Sequence, residues 1–335
     1  MRARHQRVGD APVAGTPGVG KRYARLIVHR LSQAFDAALF AALFLMLVVG
    51  LYALWDANAV YRAADATRWQ AYMPTDADHG SYDELVVLNS DVVGWINIYG
   101  THINYPLVQG KSDFEYLNKD ASGTYSLSGS LFLDSRCSAE FRDFNTIIYG
   151  HHMDRDAMFG EIGNFADAKY FDAREYGTLY VGKGSDAGKI FGLHIVAFVP
   201  ADAYDGTVYR PGVEGATDQQ AYFNHVRAQA TLTRPVDVDS QAGERVVLLS
   251  TCSDESTNAR SIVVAKIEQE VHEDTFKEEV RTGVGIDIPE GWLDFPWLGW
   301  AALVTLLALL LAFILRWAAR RKARATRGAH FAKDA

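Results

Sequence analysis

With 335 residues, 49% of them hydrophobic and 22% charged, the chain is long enough for one ordinary domain once two long apolar runs are set aside. The formal net charge is −8, and since residues 1–35 and 316–335 each carry +6 the stretch between them, residues 36–315, carries −20, which excludes nucleic acid as the natural partner. Two cysteines, Cys137 and Cys252, are too few for a disulfide scaffold, so at least one is expected to have another role.

Residues 1–35 form a basic tail with an unpatterned, Gly- and Pro-containing start. Residues 36–55 read as a transmembrane helix. From Ala37 to Trp55 no residue is charged, and at about 1.5 Å per residue the run AALFAALFLMLVVGLYALW covers a hydrocarbon layer of about 30 Å. Ala57-Asn58-Ala59 looks like a signal-peptidase site, but the run exceeds the roughly 7–15 residues of a signal core, so the helix is expected to stay.

Residues 56–90 read as an N-terminal helical segment, two helices separated by Pro74 and the polar stretch from Asp76 to Gly80. The pattern then changes. Eight short β-type runs start at Val92, Ile103, Ser130, Asn145, Thr178, Lys189, Arg245 and Arg260, which predicts a mainly β fold closed as an eight-stranded barrel over residues 91–270. Helical patches are expected at SDFEYLNKD, AMFGEIGNFADAKYF and DQQAYFNHVRAQATL, peripheral to the barrel.

Residues 271–294 read as an acidic stalk, 295–317 as a second transmembrane helix with Trp297, Trp300 and Trp317 at its interfaces, and 318–335 as a basic tail. Lys and Arg outside both runs put both termini in the cytoplasm and the barrel on the extracellular face of the cell membrane. ATP is not available there, which removes kinase-like chemistry.

Cys252 ends the apolar run VVLLSTC and is followed by the polar SDESTNA. A strand end beside a loop suits a nucleophilic thiol, although a buried core cysteine is an equal reading of that residue alone. Arg260 begins the next run eight residues later, so a hairpin returns its guanidinium beside Cys252, where it can favour a thiolate and bind an oxyanion. NTIIYGHHM ends a third run, with Gly150 suggesting a tight turn and His151 suited to general acid–base work on an amine, His152 supporting it. A metal is not expected, because adjacent side chains on an extended segment diverge and no third ligand has characteristic spacing. Spacing leaves open whether such a cysteine site hydrolyses or transfers.

The segments LLSTCSDESTNARSIVVAKI and NTIIYGHHMDRDAMFGEIGNF resemble the signature regions of class B sortases, TLSTC followed by an arginine and IYGHHM followed by a Met-Phe helix. The likeness extends through DVVGWINIYGTHINYPLVQGKSDFEYLNKD and GSLFLD, from about Asn89 to Ile267. It implies a sortase-type barrel preceded by N-terminal helices and flanked by two transmembrane helices. It also implies Cys252 as nucleophile, His151 as acid–base, Arg260 as oxyanion partner, and Ser250, Leu117 and Asp113 along a sorting-signal groove.

The implied reaction is cofactor-free cysteine transpeptidation at a Gram-positive surface. An LPxTG-like signal is cleaved after Thr, a thioester forms on Cys252, and the client passes to an amine of a peptidoglycan precursor or of a pilin. Leu249 stands where the family motif often begins with Thr, an apolar and harmless change. The second membrane helix is more typical of pilus-building class C enzymes, yet no DPW- or DPF-like lid motif precedes the barrel.

Two other readings share these residues: a Cys-His peptidase on the membrane, without a papain-type signature, and a non-catalytic surface receptor with structural cysteines. Cys137, in the polar DSRCSAEF, reads as an incidental thiol. His194 reads as a packing residue and His102, His225 and His272 as residues without partners.

Overall fold

The computed structural model describes residues 19–75, 80–252 and 258–276. The first tail up to residue 18, the stalk beyond Phe276, the second apolar run and the last basic tail lie outside the described residues. The chain divides into two compact units, residues 1–57 and 58–335.

In the first unit lies most of helix α1, Val19–Ala64, a continuous 46-residue helix. It is long and apolar enough to cross a membrane, with a mean hydropathy of 2.6 in its most apolar window and none of that window buried. The first of the two helices expected between residues 56 and 90 is therefore the end of α1 itself. Ala57, Ala59, Ala63 and Ala64 are strong helix formers, and the polar residues after Trp55 do not interrupt the backbone ladder. A 3-10 segment, Ala66–Tyr72, follows, its first turn capped by the Asp65 carboxylate accepting from the Thr67 N–H. Helix α2, Gly80–Leu88, completes the segment.

All eight expected strands form: β1 Val92–Ile98, β2 Asn104–Val108, β3 Leu131–Leu133, β4 Asn145–Tyr149, β5 Tyr176–Val181, β6 Lys189–Asp202, β8 Arg245–Cys252 and β9 Ala259–Glu268. A two-residue strand, β7 Leu232–Thr233, adds to the edge of β6 and was not foreseen. The order β5-β1-β2-β3-β4-β8-β9-β6 closes on itself because β5 also pairs with β6, which makes an eight-stranded barrel. Two of its pairings, β2 with β3 and β4 with β8, are parallel. Helices α3, Ala168–Ala173, and α4, Ala216–Ala228, lie in the connections.

The near-continuous apolar character of VVLL and IVVA follows from burial on both faces. Val247, Leu249, Val263 and Ala265 join the larger core, with Ile96, Leu107, Leu131 and Leu193. Their neighbours Val246, Leu248, Ile262 and Val264 join a second core with Tyr222, Phe223 and Val226 of α4. Both faces of the central stretches of β8 and β9 are thus fixed by packing.

The expected stalk does not begin at residue 271. The Tyr99 hydroxyl donates to the His272 carbonyl at 3.0 Å, the His272 ring stacks on Tyr176 with centroids 3.8 Å apart, and the Arg174 guanidinium lies 5.6 Å from the Phe276 ring. The chain stays on the barrel to Phe276.

Candidate active site

Three strand ends meet at one mouth of the barrel. β4 and β8 run parallel, with Tyr149 opposite Ser250, and β9 starts where β8 ends. Cys252, the last residue of β8, pairs directly with Arg260, so their Cα atoms stand about 4.5–5.5 Å apart. The Gly150 N–H donates to the Ser250 carbonyl at 3.2 Å, carrying the β4–β8 ladder one residue beyond Tyr149 and delivering His151 to the same mouth. The three residues expected to carry chemistry are therefore gathered by strand register from three separate strands.

Gly150 does not have a left-handed backbone, contrary to the tight turn expected from sequence. It is a glycine because any side chain there would collide with Leu131 and the Phe159 ring. From His151 the chain closes a small loop, with the Phe159 N–H donating to the His151 carbonyl at 3.0 Å and His152 bridging to Met158. Arg155, Asp156 and Met158 adopt φ of 60°, 58° and 53°, a costly region for residues with side chains that persists only where neighbours enforce it. The neighbours are visible. Tyr105 Oη accepts from the Met158 N–H at 3.0 Å, Tyr61 Oη donates to Asp154 Oδ2 at 3.2 Å, and the Arg155 guanidinium sits 4.3 Å from the Tyr61 ring.

His151 is half-buried, and its Nε2 lies 2.9 Å from the Leu117 carbonyl oxygen. Arg260 is half-buried and donates from Nη1 to the Ala259 carbonyl at 2.9 Å. Of the residues expected along a groove, Leu117 is 38% exposed beside His151. Ser250 is buried, with Oγ 2.8 Å from Tyr209 Oη. The Asp113 carboxylate accepts from the Ser135 N–H at 2.7 Å and so ties its own loop to the chain after β3.

Sequence reasoning missed the aromatic wall of this mouth. Tyr149 and Tyr209 stack with ring centroids 6.3 Å apart, and Tyr149 Oη donates to Asp134 Oδ2 at 3.0 Å. Burial alone would raise the Asp134 carboxyl, but the Arg136 guanidinium and N–H and the Tyr149 hydroxyl outweigh it and hold it below the usual range. Burial and the Asp134 charge push the Tyr149 phenol well up, so it remains a neutral donor. Tyr149 stood in the quoted motif; Tyr209 comes from a connection with no local signal.

Cys137 is buried rather than lying in an open polar loop, its Sγ accepting from the Ile147 N–H at 3.5 Å. Burial pushes its thiol up to about 12, which removes it as a nucleophile near neutral pH.

The histidines expected to lack partners have them. His102 Nδ1 is 3.2 Å from Glu161 Oε2, His272 Nε2 is 3.8 Å from Glu268, and His225 is 2.7 Å from the Gln229 amide. His194, expected to be packing, lies 3.0 Å from Glu175. One group among the described residues has ligand atoms close enough for a cation: His102, Asp156 and Glu161, within 4.8 Å of one another. The Glu161 carboxylate is already engaged by the His102 N–H and ring and by the Tyr170 hydroxyl, so the group reads as a structural ion pair.

A strand-end cysteine paired with an arginine, beside a strand-end histidine, can form and break a covalent acyl bond. The Sortase domain family model matches residues 96–268. The chain is 30% identical over 207 residues to sortase B of Staphylococcus aureus, covering 60% of this chain and 80% of that protein. It is 31% identical over 217 residues to sortase B of Listeria monocytogenes, covering 63% and 82%. Among solved structures it is similar to a Streptococcus pyogenes class B sortase involved in pilus biogenesis, with 36% identity, a TM-score of 0.50, and coverage of 56% of this chain and 97% of that one.

Proposed function

The chain belongs to the sortase family, with class B relatives, and from that premise we propose that it is a membrane-anchored transpeptidase in which Cys252 is the nucleophile, His151 the acid–base and Arg260 the oxyanion partner. The observation that carries this reading is the register that pairs Cys252 with Arg260 and aligns the end of β4 with the end of β8.

The Cys252 thiolate attacks the Thr carbonyl of an LPxTG-like signal, forming an S–C bond. The developing oxyanion is met by the Arg260 guanidinium, whose planar fork of N–H donors suits an oxyanion. As the Thr–Gly C–N bond breaks, the His151 imidazolium gives its proton to the leaving amine. An amine of a peptidoglycan precursor or a pilin then attacks the thioester, His151 takes a proton from it, and the thiolate is released. Leu117 and Asp113, with Tyr149 and Tyr209, line the approach of the signal, while Ser250, expected along the groove, is buried behind it and holds the Tyr209 hydroxyl. The likeness to an enzyme involved in pilus biogenesis supports a pilin among the clients.

The barrel faces the cell exterior, with α1 and the apolar run 295–317 as anchors and both termini in the cytoplasm; the basic residues flanking both runs support this. The test is product analysis by mass spectrometry of the full-length protein given an LPxTG-type peptide library and triglycine. Amine-ligated peptide that disappears in Cys252→Ala is expected. Free acid alone, with amine present, would overturn transfer in favour of hydrolysis.

A further inference from the structure

The His151 ring has two nitrogens, and the surrounding backbone treats them differently. Nε2 lies 2.9 Å from the Leu117 carbonyl oxygen. A carbonyl has no hydrogen to give, so this bond requires Nε2–H in both the neutral ring and the imidazolium. The neutral ring then carries its lone pair on Nδ1.

The Leu117 carbonyl is itself held in place. It ends the 3-10 turn Glu115–Leu117, and the chain from Ser126 to Ser130 folds back over that turn. The Gly129 N–H donates to the Ser126 carbonyl at 3.1 Å and the Ser130 N–H to the Tyr116 carbonyl at 3.1 Å, while Ser130 Oγ donates to the Lys119 carbonyl at 2.8 Å. Gly129 is the point of closest approach. Its φ is +61°, a region that disfavours side chains. A Cβ there would stand 2.7 Å from both the Tyr116 and Leu117 carbonyl oxygens and 3.1 Å from Cδ2 of the His151 ring. The backbone oxygens cannot rotate away, so Asn or Asp, which tolerate the dihedral, would meet the same obstacle.

We infer that Gly129 is a positioning residue for the acid–base histidine. Its missing side chain lets the Leu117 carbonyl reach Nε2, and this makes Nδ1 the nitrogen that exchanges the proton. The inference rests on the assignment of His151 to acid–base work. Nδ1–H of the imidazolium protonates the leaving amine as its C–N bond breaks. The neutral Nδ1 takes the proton of the incoming amine as the S–C bond breaks. Nε2–H stays on Leu117 throughout, and the bond strengthens whenever the ring is charged.

The test uses the full-length chain in detergent micelles, labelled with ring-15N histidine and observed in long-range 1H–15N spectra. The His151 pattern is identified by its loss in His151→Gln. At a pH where the ring is neutral, the wild type is expected to show a protonated Nε2 and an unprotonated Nδ1. Gly129→Ala is expected to mix the two tautomers and to lower kcat by about tenfold to a hundredfold with KM within about threefold, as misplacement of a reacting group does. A wild-type ring with its hydrogen on Nδ1 overturns the inference, and so does a Gly129→Ala protein that keeps both tautomer and kcat. If Gly129→Ala does not fold, the wild-type spectrum still decides. The spectrum needs no turnover, so failure of the transpeptidase reading appears separately, as absence of amine-ligated product.

Discussion

Removing one oxygen atom from Tyr105 is expected to loosen the loop that carries His151. Tyr105, in β2, is 2% exposed, and its hydroxyl donates to the Ala64 carbonyl at 2.8 Å while accepting from the Met158 N–H at 3.0 Å. Ala64 ends α1 and is wholly buried, so its carbonyl is one of the helix-end acceptors with no partner inside the helix. Tyr105→Phe keeps the ring and opens no large cavity, but it leaves that carbonyl and the buried Met158 N–H without this partner. A buried polar group left unmatched costs roughly 1–3 kcal/mol, so the two together are worth about 2–6 kcal/mol. In a domain of about 200 residues, 1 kcal/mol moves Tm by roughly 2–4 °C, which puts the expected fall at about 4–24 °C. Thermal unfolding of the full-length protein in detergent, followed by near-ultraviolet circular dichroism, measures it. Hydrogen exchange across residues 154–159 should accelerate at the same time, because the left-handed residues there depend on their surroundings. A Tm within about 2 °C of wild type with unchanged exchange would refute the reasoning.

Other consequences are open to direct test. The Glu161 hydrogen bond and charge raise the His102 pKa above its ordinary 6.5 against the opposing effect of burial, and Asp156 and Asp65 add to the rise. This pair's contribution to stability is therefore complete below about pH 6.5 and fades as pH climbs through the raised value. The Tm gap between wild type and His102→Gln should narrow from pH 6 to pH 9; parallel curves would count against it. Native alkylation at pH 8 should modify one thiol, absent in Cys252→Ser, with Cys137 reacting only after denaturation because burial holds it protonated. Two fast thiols in the folded protein would contradict that. Arg260→Lys keeps the charge but loses the planar fork, and should lower kcat by about 10²–10³, as removal of an oxyanion donor does. Wild-type turnover in that variant would remove Arg260 from the mechanism.

The eight strands were legible because each is a run rich in aliphatic or aromatic residues bounded by turn residues, and in β8 and β9 burial on both faces makes those runs nearly continuous. The hairpin logic joining Cys252 to Arg260 was legible for the same reason, since an antiparallel pair with a short connection has few possible registers. What sequence did not reveal was set by long-range closure. His102 meets Glu161 across 59 residues, and Tyr209 meets Ser250 across 41. The parallel pairing of β4 with β8, which brings His151 to the cysteine strand, leaves no mark in either strand. A separate helix was expected after the apolar run, yet α1 continues to Ala64, because the polar residues there do not interrupt the helical backbone ladder. Gly129 and Gly150 look alike in sequence. One is required by a left-handed backbone and close carbonyls, the other by two neighbouring side chains.

The most direct test of the central claim is the intact mass of the full-length protein after brief incubation with an LPxTG-type peptide and an acid quench. A hydroxylamine-labile adduct equal to the peptide lacking its Gly-containing tail is expected, present in the wild type and absent in Cys252→Ala. The same adduct on Cys252→Ala, or no adduct with any such peptide, would contradict it.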